Sequence, residues 1–264
     1  EWAVDLAARD INQTGGIGGR KLVVIGCDTG SNSAQAMERA KWLIEGGRVS
    51  VIIGAASSTS TIEVFTQVAK PAGVLVMSPS ATSPSITDLP DDNLLWRTAP
   101  SDKIQARAIS GLVAEGGFEK VALIYQDDAY GTGLASAFQM PYCAEFGCGN
   151  QRFFSRRYSI NADSVAVPAA IEDKMADLRD FGPDVIVFIG FSPSFTTLVK
   201  AVAEEPSLQT VTLIPTDGAR DAMELARLTR QSEQVLLSNL IGTSPAAPTG
   251  QLYDDFSMVF TSRY

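Results

Sequence analysis

The sequence predicts an α/β protein made of two doubly wound, Rossmann-like domains joined by a hinge. Segments with strand-like and helix-like patterns alternate along nearly the whole chain of 264 residues, as expected of repeated β-α units. Some strand segments, such as VIVFIG at 185–190, are continuously apolar, which is typical of strands buried on both faces of a parallel sheet. Two breaks rich in Pro, Ser and Thr, near 98–102 and 242–249, divide the alternation into two domains.

A glycine cluster, formed by Gly15, Gly16, Gly18 and Gly19, raises the question of a nucleotide site. It follows EWAVDLAARDIN, whose apolar residues recur at helical spacing, and precedes the β-rich run KLVVIGC. A dinucleotide-binding motif needs the opposite order, strand before helix, and the sixth position counted from Gly16 is Lys21 instead of glycine. The cluster therefore predicts a turn that ends a helix and leads into a strand.

The remaining elements follow from the same patterns. In the first domain we expect strands over 21–27, 49–53, 74–77 and 94–98, and helices over 33–45 and 57–70. In the second domain we expect helices over 103–115, 131–146, 165–181, 194–204 and 219–229, and strands over 121–125, 151–158, 184–189, 210–214 and 234–241. A linker at 242–250 and a helix over 251–264 complete the chain.

Composition narrows the range of functions. The net charge of −9 and the absence of a Lys/Arg cluster argue against a nucleic-acid partner. No apolar run approaches the 18 or so residues of a membrane span. The chain contains no histidine, which excludes Ser-His-Asp and Cys-His catalysis and histidine-based metal sites. We therefore expect neither an enzyme nor a cofactor. We also expect no metal site, since three cysteines at this spacing suit zinc poorly.

The three cysteines leave two interpretations open. Cys143 and Cys148, in YCAEFGC, lie five positions apart near a predicted helix end. They could form a small disulfide in an oxidising compartment, or they could be two free buried thiols. Cys27 has no obvious partner in this chain.

Candidate binding residues follow the predicted strands, because ligands of doubly wound sheets bind beyond the carboxyl ends of strands. GAASSTST, after the strand at 49–53, places Ser57, Ser58 and Thr59 at a helix start, where free amides and the helix dipole favour an anion such as a carboxylate. One of the three could serve only as the N-cap. SPSATSP, after the next strand, adds the hydroxyl-rich Ser80–Thr82 backbone, which could equally be a plain Ser/Pro loop.

The second domain contributes other chemistry at the same topological positions. Tyr130 could form an aromatic wall, Phe191 follows the strand at 184–189, and Asp217 could hold an ammonium group or cap a helix. Asp127 and Asp128 could form an acid/base pair, although adjacent side chains in a loop rarely converge. A cleft with hydroxyls and amides on one side and a carboxylate on the other suits a zwitterion. It contains no nucleophile–base pair.

Several segments in order, ARDINQTGGIGGRKLVVIGCDTGSNSAQAMERAKWLI, VIIGAASSTST, GVLVMSPSATSPSIT, WRTAPSD, VALIYQDDAYGTG and PDVIVFIGFSP, resemble the type I periplasmic binding proteins. The similarity is to the leucine/isoleucine/valine-binding group, the receptors of branched-chain amino acid ABC importers. It implies that Ser58 and Thr82, with the backbone at Ala81, bind the ligand carboxylate. It also implies that the Ser80 carbonyl and Asp217 bind the ammonium, and that Tyr130 lines the cleft. The family often has Glu at the position of Asp217 and Tyr at that of Phe191.

The resemblance further implies an N-terminal lobe of residues 1–98 plus 243–264, a C-terminal lobe of residues 99–242, and a ligand cleft between them. The protein would be a periplasmic or extracytoplasmic receptor, with a lipid anchor as one alternative, that delivers a small aliphatic or branched-chain amino acid, or a related carboxylate, to a membrane permease. An alternative is a sensor domain of the same fold that responds to an amide or amino acid. The family's first strand and its C-terminal part are missing from this sequence, so we expect a fragment of a longer protein. A nucleotide-dependent α/β enzyme is disfavoured, because the nucleotide and nucleophile-elbow motifs are absent.

Overall fold

The computed structural model describes residues 2–159, 167–246 and 248–264. The predicted helix start at 165 and residue 247 of the predicted linker lie outside this part of the chain. Its architecture is that predicted from the sequence: two parallel sheets with flanking helices, one following the other along the chain.

The first sheet has three parallel strands in the order β1-β2-β3. They are β1 (Val51–Ile53), β2 (Leu75–Ser78) and β3 (Leu95–Arg97). The central strand is held in register on both sides, since Val76 lies opposite Ile52 on one neighbour and opposite Leu95 on the other. The helices that accompany this sheet are α1 (Trp2–Gln13), α2 (Ser33–Glu45) and α3 (Ser58–Val64), which continues as a π-helical turn over Phe65–Ala69.

The second sheet has four parallel strands in the order β5-β4-β6-β7. They are β4 (Val121–Gln126), β5 (Phe153–Tyr158), β6 (Val185–Ile189) and β7 (Thr212–Pro215). All five residues of β6 are buried, as its unbroken apolar sequence predicts for a strand covered on both faces. The helices of this half are α4 (Asp102–Glu115), α5 (Ala129–Phe146), α6 (Val167–Phe181), α7 (Ser192–Glu204), α8 (Ala222–Leu225) and α9 (Gln231–Ser238).

The last helix, α10 (Gln251–Arg263), returns to the first helix of the chain. The Tyr264 ring, directly after α10, stacks on Trp2 with ring centroids 5.5 Å apart, and the Tyr264 hydroxyl donates to Asp5 over 2.6 Å. No helix in the described ranges is long and apolar enough to cross a membrane.

The glycine cluster forms the predicted turn, but the strand predicted after it is wrong. All four glycines have positive φ, and a Cβ on Gly16 would lie 2.1 Å from the Arg20 carbonyl oxygen. Residues 21–27 carry no strand, and Val23 is 79% exposed. A strand exists only when its amides and carbonyls pair with a neighbour, and no strand elsewhere in the described residues forms a ladder with this run.

Two predictions near the end of the second half are also wrong. Residues 234–238 of the predicted strand 234–241 belong to helix α9, and only its end pairs with β7, through a single parallel bridge between Leu240 and Leu213. The helix predicted at 219–229 is reduced to a 3₁₀ turn (Asp217–Ala219) and the single turn α8. The Glu233 carboxylate accepts from the Arg230 amide over 2.9 Å, which is how an acidic side chain stabilises a helix start. The helix buries Leu236 completely, whereas Val235 stays 44% exposed. Apolar residues in short runs of this kind do not distinguish a helix from a strand.

Candidate ligand-binding cleft

The candidate site lies at the carboxyl ends of the parallel strands. In the second sheet the strand order reverses between β4 and β6, and in doubly wound sheets ligands bind at such a switch point. Tyr130 follows β4 and Phe191 follows β6, and their ring centroids are 5.5 Å apart. The chain therefore places two aromatic rings together at the expected position. Tyr130 is buried, and Phe191 is 37% exposed.

The three hydroxyls at the start of α3 have three different partners. Ser57 is the N-cap, since its Oγ accepts from the Ser60 amide over 3.2 Å. Ser58 is buried, and its Oγ accepts from the Ser83 amide over 3.2 Å, which ties α3 to the loop after β2. Thr59 Oγ1 accepts from the Ala129 amide over 3.1 Å, at the start of a helix of the second sheet. The two sheets thus approach each other at this end of α3.

The loop after β2 has a tightly bonded backbone. The Ala81 amide donates to Ser78 Oγ over 3.0 Å, and Ser80 Oγ donates to the Ala56 carbonyl over 2.8 Å. The Arg97 guanidinium, at the end of β3, donates to the Ala81 and Ser83 carbonyls over 3.3 and 2.8 Å. Burial lowers the pKa of Arg97. Within the described part of the chain no donor reaches the Ser80 carbonyl, so this oxygen is available as an acceptor.

Asp217 lies with Tyr130 and Thr216 at the carboxyl ends of the strands of the second sheet. The Tyr130 hydroxyl donates to Asp217 Oδ1 over 2.9 Å and lies 2.8 Å from Thr216 Oγ1. Burial, together with the charge of Asp217, raises the pKa of Tyr130 well above its ordinary value, so this phenol remains a hydrogen-bond donor. The Asp217 carboxylate is therefore oriented by a buried phenol.

Asp102 lies beside the candidate site, although its sequence pattern does not predict this position. It is the first residue of α4 and is 1% exposed, yet neither carboxyl oxygen has a hydrogen-bond partner in the described structure. Its amide donates to the Thr82 carbonyl over 3.0 Å. Burial raises the pKa of Asp102 to about 7. The Thr82 hydroxyl, which approaches the carboxyl group without forming a hydrogen bond of good geometry, opposes this shift, the charge of Asp217 adds to it, and the charge of Arg97 opposes it. The segment TAPSD looks like a helix start with an acidic first residue, and that pattern gives no sign of burial.

The neighbouring carboxylates at 127 and 128 do not act together. Asp128 is the N-cap of α5 and accepts from the Gly131 amide and the Gln126 side chain, each over 2.7 Å. Asp127 is exposed and bonds instead to Arg157 and Ser159, over 3.4 and 3.3 Å. Each carboxylate thus has its own structural partners, which fits a helix cap and a surface ion pair better than an acid/base couple.

The structure joins Cys143 and Cys148 in a disulfide and leaves Cys27 as a free thiol. The disulfide lies at the carboxyl end of α5, whereas the cleft lies at its amino end. It therefore fastens the end of the helix that is remote from the candidate site.

The chain matches the family model described as "Receptor family ligand binding region" over residues 1–263. The protein belongs to this family. Its architecture is the type I periplasmic binding protein fold. It is 32% identical over 177 residues to the leucine-specific-binding protein of Salmonella typhimurium, a match covering 67% of this chain and 47% of the relative.

Two further proteins resemble the chain. The first is the chemotactic signal transduction system substrate-binding protein BasB of Halobacterium salinarum, 28% identical over 194 residues that cover 71% of this chain and 44% of the relative. The second is the structure of an ABC transporter substrate-binding protein from Desulfitobacterium hafniense in complex with Leu, which has a TM-score of 0.68 and 26% identity and covers all of this chain and 72% of that chain. The chain thus spans less than half the length of these two curated relatives.

Proposed function

We propose that this protein is a non-enzymatic receptor that binds a small amino acid, of the aliphatic or branched-chain type, between two lobes. The observation that supports the proposal is the set of polar groups at the strand ends, with hydroxyl groups and an acceptor carbonyl after the strands of the first sheet and a phenol-oriented carboxylate after those of the second. Relatives that are named as leucine-binding, or that were solved with Leu bound, support this ligand class.

The proposed roles divide the ligand between the two sides. Ser58 and Thr82, with the backbone at Ala81, would hold the carboxylate, and the Ser80 carbonyl and Asp217 would hold the ammonium. The Ala81 amide already donates to Ser78, so this amide would have to share its hydrogen or leave the carboxylate to the two hydroxyls. Tyr130 and Phe191 would enclose the rest of the ligand.

We add Asp102 to this set. Its buried oxygens lack hydrogen-bond partners among the described residues, and it lies close enough to Asp217 for the charge of Asp217 to contribute to its raised pKa. An ammonium between the two carboxylates would supply a charged hydrogen-bond donor to both of them.

We further propose the lobe boundaries, 1–98 with 243–264 for one lobe and 99–242 for the other, with a hinge at the two crossings. The contact of α10 with α1 supports grouping the end of the chain with its beginning. A periplasmic or extracytoplasmic location and delivery to the membrane permease of an ABC importer follow from the importer relatives as part of this proposal.

A sensor role is a second candidate, because one relative is named as the substrate-binding protein of a chemotactic signal transduction system. The cleft would serve either role equally well. Genes beside this one would distinguish them: a permease and an ATPase favour import, and a signalling receptor favours sensing.

The proposal is tested by isothermal titration of the purified protein with L-leucine, L-isoleucine, L-valine and a panel of other amino acids and small amides. We expect at least one aliphatic amino acid to bind and to raise the melting temperature by mass action. Asp217→Ala should abolish the signal, whereas Asp127→Ala, the same change at an exposed carboxylate bonded to Arg157 and Ser159, should leave it intact. A stably folded protein that binds nothing in the panel would refute this function.

A further inference from the structure

One backbone amide in the first turn of α5 donates its hydrogen bond to a side chain of the other proposed lobe. The first amides of a helix have no partner within it. Asp128 satisfies the amide of Gly131, but the amide of Ala129 donates to Thr59 Oγ1, which belongs to the other proposed lobe. This bond exists only while the lobes are in contact, because separation would return both groups to water.

Gly133 lies one turn further along α5, on the same face as Ala129. A Cβ built at Gly133 would lie 2.7 Å from Ser83 Oγ and 3.0 Å from Pro84 Cδ, both of which belong to the loop after β2. Real Cβ atoms do not approach other atoms as closely as 2.7 Å, so a side chain here would displace the Ser83 hydroxyl. It would also press against the Pro84 ring, which cannot rotate away, and would thereby move the loop away from the helix. The absence of a side chain at 133 therefore permits the observed approach of the two lobes.

Ser83 completes this contact. Its Oγ is buried and has no hydrogen-bond partner in the described structure, while its amide donates to Ser58 Oγ. A buried hydroxyl without a partner costs free energy. The small side chain of Ser83 nevertheless fits against Gly133, and the backbone amide of Ser83 is bonded to Ser58 of the candidate ligand site.

We propose that Thr59, Ser83 and Gly133 are positioning residues that form a clasp between the lobes. The clasp sets how closely the lobes approach, and it thereby controls ligand affinity without contacting the ligand. This inference rests on the proposed function only for its affinity readout, because the approach of the lobes can be measured without any ligand.

The main test compares Gly133→Ala with Gly111→Ala, a matched control in the helix α4. A Cβ at Gly111 meets nothing within 4 Å, so both changes have the same effect on helix propensity and only one obstructs the lobes. We expect Gly133→Ala to weaken binding of the amino acid identified in the titration panel by more than tenfold. Gly111→Ala should bind as the wild type does.

Two further variants distinguish a specific effect on the clasp from a general folding defect. Ser83→Ala in the Gly133→Ala background removes the nearest obstructing atom and should recover part of the lost affinity. Thr59→Val keeps the shape of the side chain but removes the acceptor, and we expect affinity to fall by about threefold to tenfold. The melting temperatures without ligand should stay within a few degrees of the wild type, because no core contact within either lobe is lost.

Small-angle X-ray scattering without ligand provides the independent readout. We expect a larger radius of gyration for Gly133→Ala than for the wild type and Gly111→Ala. If the wild type binds no amino acid, the proposed function fails while scattering still decides the clasp. Equal radii for all three proteins, or equal affinities of Gly133→Ala and the wild type, would overturn the clasp.

Discussion

Replacing Asp102 by asparagine should make the protein more stable, and by an amount that depends on pH. The side chain is buried, and its carboxyl oxygens have no hydrogen-bond partner in the part of the chain that the structure describes, so ionisation in the folded state is unfavourable. The amide of asparagine has nearly the same shape and no charge. The substitution therefore removes the cost of ionisation with little change in packing.

The sign and size of the effect follow from the pKa of Asp102, which burial raises from 3.8 to about 7. The folded protein holds this proton more tightly than the unfolded chain does. The contribution of Asp102 to the free energy of unfolding therefore falls as pH rises from about 4 to about 7, and then levels off. At about 1.36 kcal/mol per pKa unit, the loss above pH 7 is on the order of 4 kcal/mol. Asp102→Asn should lack this loss.

The assay is urea unfolding of the wild type and Asp102→Asn at intervals from pH 4 to pH 8. We expect the two proteins to have similar stability near pH 4 and to diverge progressively toward pH 7, with the variant more stable. Asp127→Asn, at an exposed site, should follow the wild type to within about 0.5 kcal/mol. A difference between Asp102→Asn and the wild type that does not change with pH would refute the reasoning.

Three other predictions address the cleft, the disulfide and the corrected helix. Tyr130→Phe removes the hydroxyl that donates to Asp217, and it should weaken amino-acid binding by about tenfold in a calorimetric titration, as expected for the loss of a hydrogen bond to a charged group; unchanged affinity would count against the role of Asp217. Replacing Cys143 and Cys148 by serine opens a loop with a sequence separation of 5 and should lower the free energy of unfolding by about 2 kcal/mol in urea. Affinity for the amino acid should stay unchanged, because the disulfide is remote from the candidate site. Leu236→Ala should cost about 2–5 kcal/mol, whereas Val235→Ala on the exposed face of α9 should cost about 0.5 kcal/mol or less; equal costs would contradict a helix with one buried face.

The fold was predictable because its main signals are local. The continuous, β-branched apolar run of β6 favours a strand buried on both faces, and the glycines at 15–19 all adopt positive φ, which costs glycine no steric energy. The errors lie where structure depends on a partner elsewhere in the chain. Residues 21–27 have the composition of a strand but no neighbour to pair with, and 231–238 could be a helix or a strand until the buried surface beneath Leu236 decides.

The candidate site was predictable to a similar extent. Topology alone indicated that residues after successive strands would converge, and the structure brings Tyr130, Asp217 and Phe191 together. The sequence could not reveal that Asp102 is buried, because its pattern matches an exposed residue in the first turn of a helix. The sequence also could not reveal which group bonds to the Thr59 hydroxyl, because that group, the Ala129 amide, is 70 residues away.

All the proposed binding groups lie in short loops or first helical turns, and none lies within a strand. Of these groups only Tyr130 and Ala81 also belong to the apolar clusters that stabilise the two sheets, and the other proposed binding residues form a separate set. Apart from a buried charge such as Asp102, substitutions in one set should have little effect on the other. Over evolutionary time such a protein can acquire a new ligand preference in a few steps, each of which leaves a folded molecule for selection to act on.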